Sequence, residues 1–330
     1  MGKSVAIVGA TGAVGRTMAK VIEEKNLNIT KIGLFASKRS IGKKINIGSN
    51  EIIVEKTEID KVSKYDYCLL AVDSKLSQKL APELIKKGTI VIDNSSAFRL
   101  DHQVPLVVPE VNPQKAYNHK GIISNPNCST IQMVLSLYPI HSISPIQRVV
   151  VSTYQSASGA GQKAVDELKN CTENVLNGVK CQNEAFIHPI AFSAIPHIDS
   201  FDPSGYTKEE LKMSNETQKI MNSQIKVSAT CVRIPTINCH CESINIQTKN
   251  KVTVTDALKA YEKFPSVKVW DNPKENIYPL PPNVDGYDDV FIGRIRQDKT
   301  IENGLNIWSV ADNLRKGAAT NAVQILELLI

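Results

Sequence analysis

Aromatic side chains make up only 5% of this 330-residue sequence, and no block of five or more like charges occurs in it. A nucleic-acid face clusters Lys and Arg and interleaves aromatics among them, so the scattered charge argues against that class of partner. The net charge of +6 suits small anionic ligands instead. No stretch approaches the ~20 apolar residues of a membrane helix, which leaves a membrane role without support. Val5-Ala6-Ile7-Val8 runs straight into Gly9, too short for a signal peptide, and the expectation is a cytoplasmic protein. The seven cysteines are odd in number and lack the spacing of a secreted disulfide scaffold; reduced thiols are expected. Internal repeats and low-complexity segments are also missing.

What is present is ordinary globular composition, 42% hydrophobic and 22% charged. The length is about twice the ~150-residue domain prior, which points to two domains. Apolar runs at 4–8, 29–35, 67–72 and 89–93 read as strands, with helical spacing after residue 13 and over 74–87. Strands alternating with helices predict βαβ units and a parallel sheet. Beyond residue 140 the pattern changes to strands at 149–154, 227–234, 240–248, 290–295 and 305–311. Helical stretches fall at 162–178 and 255–263, a Pro-rich loop at 279–282, and a last helix at 313–329.

Gly9, Gly12 and Gly15 sit between the first strand and the first helix. Glycines there permit a sharp turn, and the helix N-terminus offers unpaired N–H groups to a pyrophosphate. The spacing is G-x-x-G-x-x-G, not the commoner G-x-G-x-x-G, and a tight turn with close helix packing is the competing reading. An NAD site usually carries Asp or Glu after the second strand, to bind the ribose 2′-hydroxyl. Here Ala36-Ser37-Lys38-Arg39-Ser40 has no carboxylate, and its hydroxyls and cations fit the 2′-phosphate of NADP; a solvated basic turn is the alternative.

Ser124-Asn125-Pro126-Asn127-Cys128-Ser129-Thr130 leads from a turn into apolar residues 131–137, so Cys128 is expected at a helix N-terminus. The dipole and free N–H groups there favour a thiolate, the form a nucleophile needs. Without context, such a Cys is more often a small buried apolar residue than a nucleophile. A lone His240 in a strand reads first as structural. Cys239-His240-Cys241 does not converge on a metal, because adjacent strand side chains alternate faces; no metal is expected. Glu216 and Lys219, three apart on a helix, would alone be a surface ion pair.

Ser124 to Thr130 resembles the active-site signature of the aspartate-semialdehyde dehydrogenase family. The resemblance runs along the chain in the family's order. It takes in Gly9 to Gly15, Ala36 to Ser40, Asn94-Ser95-Ser96-Ala97-Phe98-Arg99 and Val108-Pro109-Glu110-Val111-Asn112. Thr153 to Gly161, Arg233-Ile234-Pro235 with His240, and Asp312 to Gly317 follow. It implies an α/β Rossmann-like NADP-binding domain, residues 1–127 plus 313–330, with a second α+β catalytic and dimerisation domain, 128–312. It also implies NADPH-dependent reduction of L-aspartyl 4-phosphate to L-aspartate 4-semialdehyde and phosphate. That reaction serves lysine, threonine, methionine and diaminopimelate biosynthesis, and the family is at least dimeric, so a homodimer is expected.

By the same resemblance Cys128 attacks the acyl carbon to form a thioester, His240 is the acid/base, and Gln155 orients the acyl group. Arg99 and Lys219 correspond to a phosphate-binding pair, Arg233 to a carboxylate clamp and Glu216 to the carboxylate that meets the substrate amine; Asn127 belongs with the substrate set. Gly9, Thr11, Gly12, Ala13, Val14, Gly15, Ser37, Arg39 and Ser40 are implied to hold the cofactor, with Ser158, Gly159 and Asn313 near the nicotinamide. Many relatives have a small residue where this chain has Cys239. If 234–239 bends between paired antiparallel strands, Arg233 falls opposite His240 on one sheet face.

Three rivals remain. An N-acetylglutamyl-phosphate reductase has a capped amine, for which Glu216 would lose its purpose. A catalytically silent homologue acting as an interaction subunit is opposed by intact Cys128, Gln155, Arg233 and His240. Nonphosphorylating aldehyde oxidation is disfavoured by the two phosphate-site cations.

Overall fold

The computed structural model describes residues 2–330. The chain divides into two units, one running to Asn127 and completed by Ala318–Ile330, the other Cys128–Gly317. Among the described residues no helix is long and apolar enough to cross a membrane.

The first unit contains β1 (Lys3–Val8), α1 (Ala13–Lys25), β2 (Ile29–Ala36), β3 (Lys44–Ile47), β4 (Asn50–Ile53) and β5 (Glu55–Lys56). It continues through α2 (Ile59–Val62), β6 (Tyr67–Leu70), α3 (Ser74–Lys86), β7 (Ile90–Asp93) and β8 (Ile122–Ser124). Six strands form a parallel sheet in the order β5-β2-β1-β6-β7-β8. The run Val5-Ala6-Ile7-Val8 is apolar on both sides because helices cover both faces. Val5 and Ile7 pack with Met18 and Ile22 of α1 and with Val323, Ile325 and Leu326 of the C-terminal helix, Thr320–Glu327. Ala6 and Val8 pack instead with Leu80, Ala81 and Leu84 of α3. The chain lays β2 on one side of β1 and β6 on the other, which makes the C-terminal end of β1 the topological switch point.

The second unit holds α4 (Cys128–Ile143), β9 (Ile146–Gln155), α5 (Gln162–Leu176), α6 (Lys208–Met221), β10 (Lys226–Arg233), β11 (His240–Thr248) and α7 (Val254–Glu262). Then come β12 (Val267–Val269), α8 (Pro281–Val284), β13 (Val290–Asp298) and β14 (Gly304–Ala311). Its sheet is mixed, with strand order β10-β9-β11-β14-β13-β12. A short helix replaces the Pro-rich loop expected at 279–282, since proline is well placed in a first turn. The last expected helix is shorter, because Arg315–Ala319 forms a separate wide turn before Thr320.

Two expectations are corrected. Strands β10 and β11 do not pair: β9 lies between them, parallel to β10 and antiparallel to β11. The connection 234–239 crosses the end of β9, where Ile234 N–H donates to Gln155 and the N–H groups of Ala157 and Ser158 donate to Thr236 and Ile237. Nor are all thiols reduced. Cys171, on α5, is bonded to Cys181, their Cα atoms 4.9 Å apart. The chain doubles back after α5, and the Glu167 carboxylate accepts from the N–H groups of Glu184, Ala185 and Phe186, which brings the second cysteine home.

Candidate active site

The ends of β9, β10 and β11 meet the start of α4. Cys128 is the first residue of that helix and is partly exposed, where first-turn N–H groups and the helix dipole favour an anion. The other free cysteines are buried. Burial raises the thiols of Cys68, Cys231 and Cys239 and pushes Cys241 up to about 12, so they are poor nucleophiles.

His240 opens β11 with its ring fully buried and Nε2 3.3 Å from Cys128 Sγ. Its neighbour Cys239 has φ +67°, a left-handed conformation that favours glycine, and its N–H donates to Asn313 Oδ1 at 2.9 Å. That bend turns His240 to Cys128 while Cys239 and Cys241 pack with Val284, Phe291 and Val310. The N–H of Ser156 donates to His240 Nδ1 at 3.1 Å. Burial first, and then the Arg233 guanidinium, hold the imidazole down at about 3, against the opposing pull of Glu209. The resting ring is therefore neutral.

Gln155 ends β9. Its Oε1 accepts from Thr153 Oγ1 at 3.0 Å, and its Nε2 donates to Glu209 Oε1 at 3.2 Å. Arg233 lies directly across from Gln155 in the β9–β10 register, is buried, and donates to the Ser156 carbonyl. Gly159 lets the backbone approach closely there: a Cβ would sit 3.1 Å from the His240 ring and 3.2 Å from the Arg233 guanidinium, and these would have to give by a few tenths of an ångström. Ser158 Oγ accepts from Asn313 Nδ2 at 2.9 Å, which joins those two residues to the His240 loop.

The expected Glu216 and Lys219 require correction. They lie on α6 seven residues beyond Glu209 and Lys212, about 10 Å farther along a helix, and it is Glu209 that reaches Gln155. Lys212 Nζ pairs with Glu209 at 3.1 Å and with Asp199 at 2.8 Å. Burial lowers Lys212, but these carboxylates outweigh it and hold the lysine charged above its ordinary range. The reason is the start of α6: Thr207 and Glu210 form a capping box, which turns the first helical turn and Glu209 toward the strand ends. Glu209-x-x-Lys212 and Glu216-x-x-Lys219 have identical spacing, and only the adjacent capping threonine marks the first copy in the sequence. Ser156, against His240, had no signal of its own.

The first unit carries the other expected residues. Gly9, at φ +86°, ends β1, and a Cβ on Gly15 would overlap the Gly9 carbonyl, so the turn needs both glycines. Helix α1 starts at Ala13 and Val14 with Gly12 as its cap and no side-chain cap bond, so a phosphate meets no competing side-chain acceptor. Thr11 Oγ1 donates to Ser40 Oγ at 3.2 Å, tying this loop to the Lys38–Ser40 turn, where Ser37 and Arg39 are exposed and no carboxylate stands. These residues fit a dinucleotide, and the missing acid fits one with a 2′-phosphate. Arg99 is buried, its Nε donating to Asn125 O at 2.9 Å and its Nη2 to Asn94 O at 2.8 Å. Asn127 is buried just before α4.

Residues 4–119 match the family described as semialdehyde dehydrogenase, NAD binding domain, and residues 137–316 match semialdehyde dehydrogenase, dimerisation domain. The chain is 52% identical over 335 aligned positions to the aspartate-semialdehyde dehydrogenase of Aquifex aeolicus, covering 100% of this chain and 98% of the relative. Identity to the Bacillus subtilis enzyme of that name is 46%, over 99% of this chain and 97% of the relative. The solved structure of aspartate semialdehyde dehydrogenase II from Vibrio cholerae, complexed with ASA, superposes with a TM-score of 0.96 at 42% identity, covering 100% of this chain and 98% of that one. With a thiol and an imidazole in contact at the head of α4 and full-length similarity at this level, the chain belongs to the aspartate-semialdehyde dehydrogenase family.

Proposed function

We propose that this chain reduces L-aspartyl 4-phosphate with NADPH to L-aspartate 4-semialdehyde and phosphate, through a thioester on Cys128, as a homodimer in the cytoplasm. The observation that carries the mechanism is the 3.3 Å approach of His240 Nε2 to Cys128 Sγ. His240 takes the thiol proton, and the sulfur attacks the β-acyl carbon as the C–O bond to phosphate breaks. Before that attack, the thiolate beside His240 stabilises the imidazolium that burial alone disfavours. Gln155, its oxygen held by Thr153, presents Nε2 to the acyl oxygen. Arg233 grips the α-carboxylate with a planar fork, and Glu209 meets the α-ammonium. Arg99 and Lys212 supply cations for the phosphate. Ser158, Gly159 and Asn313 line the nicotinamide side. The Gly9–Gly15 loop with Ser37, Arg39 and Ser40 would hold a dihydronicotinamide dinucleotide, whose chemistry there would be donation of a hydride to the acyl carbon.

Glu209 favours this substrate over an N-acylated one, which has no ammonium to pair. The test is NADPH oxidation with enzymatically generated aspartyl phosphate, run beside N-acetylglutamyl phosphate. Turnover should require the free-amine substrate; preference for the acylated one would make this a sister acyl-phosphate reductase.

A further inference from the structure

Two different groups of Ser156 lie against His240 Nδ1, and they make opposite demands on the ring. The backbone N–H, at 3.1 Å, can only donate, so it requires a bare Nδ1 and places the neutral ring's proton on Nε2, facing Cys128. A ring in that state cannot accept the thiol proton at Nε2. The hydroxyl, with Oγ 3.2 Å from Nδ1, can accept as well as donate. Its own proton has a destination, because Oγ donates to Asn313 Oδ1 at 3.1 Å. The amide of Asn313 is oriented independently: Oδ1 takes the Cys239 N–H at 2.9 Å, and Nδ2 donates to Ser158 Oγ at 2.9 Å.

We propose that Ser156 is a positioning residue for the reaction: its hydroxyl, held by Asn313, accepts a proton-bearing Nδ1 and so frees Nε2 of His240 to take the proton of Cys128. Without that oxygen the Cys239 carbonyl is the ring proton's remaining acceptor, and the backbone N–H at Nδ1 favours the opposite tautomer, unfit for base catalysis. In the transfer itself the S–H bond breaks, the Nε2–H bond forms, and Nδ1–H remains bonded to Ser156 Oγ, so no co-reactant is needed. The other groups facing the ring are Cys128 from α4, Arg233 from β10, Glu209 from α6 and the carbonyl of Cys239, the residue before it. None of these is changed by substituting residue 156. The inference rests on the proposed role of His240 as the base.

The experiment measures iodoacetamide alkylation of Cys128 at pH 7, followed by mass spectrometry, together with steady-state turnover, in wild type, Ser156→Ala, Ser156→Thr and His240→Asn. Ser156→Ala should slow alkylation about tenfold, the factor one charge-assisted hydrogen bond controls, and lower kcat similarly with KM for the acyl phosphate unchanged. Ser156→Thr, which keeps the hydroxyl, should restore both. A purely structural serine would lower kcat and leave the alkylation rate at the wild-type value; that outcome overturns the proposal. Wild-type alkylation in His240→Asn would overturn the role of His240 itself, and this inference with it. Slow alkylation in His240→Asn beside wild-type alkylation in Ser156→Ala would overturn the inference alone.

Discussion

At the scale of single residues, the place of Cys128 at the head of a helix was legible in a local pattern, whereas His240 by itself reads as structural and only the family resemblance singles it out. Pro126 and the asparagines mark a turn, and the apolar run after Cys128 marks the helix it heads. Cys128→Ser should abolish turnover and leave NADPH affinity within about twofold, since a hydroxyl of far higher pKa cannot supply the anion. Isothermal titration and a turnover assay on one preparation check this, and more than a few per cent residual activity would sink the thioester route. Cys239 was legible only as an oddity; its φ of +67° supplies the physical reason a small residue suits the position. Cys239→Val should cost about 1–3 kcal/mol in chemical denaturation and reduce kcat by misplacing His240, because a β-branched side chain is strained in that region. Cys239→Gly should do neither to a comparable degree. The Cys171–Cys181 bond was invisible, since a chain reversal fixed by Glu167 decides it and spacing does not.

Among elements, what failed to read from the sequence was adjacency. Two strands joined by a six-residue link, β10 and β11, suggest a hairpin, and nothing local announces that β9 inserts between them. The outcome still sets Arg233 and His240 on either side of Gln155, since β9 contributes its own end. Helix α6 failed for a different reason, its repeated Glu-x-x-Lys spacing. Glu209→Gln should raise KM for aspartyl phosphate by roughly tenfold or more, the worth of a lost charge-assisted bond, whereas Glu216→Gln should leave KM close to wild type. A larger KM effect from Glu216→Gln would return the ammonium site to the second copy. For the turn after β2, Arg39→Ala should weaken NADPH binding by about 1–3 kcal/mol with little effect on NADH. Equal losses for both cofactors in fluorescence titrations would make Arg39 structural.

Across the whole molecule, the parallel-sheet architecture of the first unit was legible from alternating apolar runs, while the mixed sheet of the second required coordinates. Two buried titratable groups give stability an opposed pH dependence. His240 lies at about 3 in the fold against an ordinary 6.5, so stability is lost as pH falls through that window, where the unfolded chain binds a proton the fold refuses. Glu242 is raised well above 4.5 by burial, and neither carboxyl oxygen has a hydrogen-bond partner among the described residues. The fold keeps its proton above pH 4.5 while the unfolded chain gives it up, so stability falls as pH rises. Glu242→Gln should therefore stabilise the protein increasingly from pH 5 to pH 8 in urea denaturation; a pH-independent difference would show that Glu242 is ionised in the fold. The C-terminal helix has a separate consequence, one of timing. Val323, Ile325 and Leu326 complete the core around Val5 and Ile7, yet the whole second unit, Cys128–Gly317, is synthesised between the two. At ~5–20 residues per second that insertion takes on the order of ten seconds or more to make, and until the last helix follows it the sheet of the first unit stays uncapped on one face.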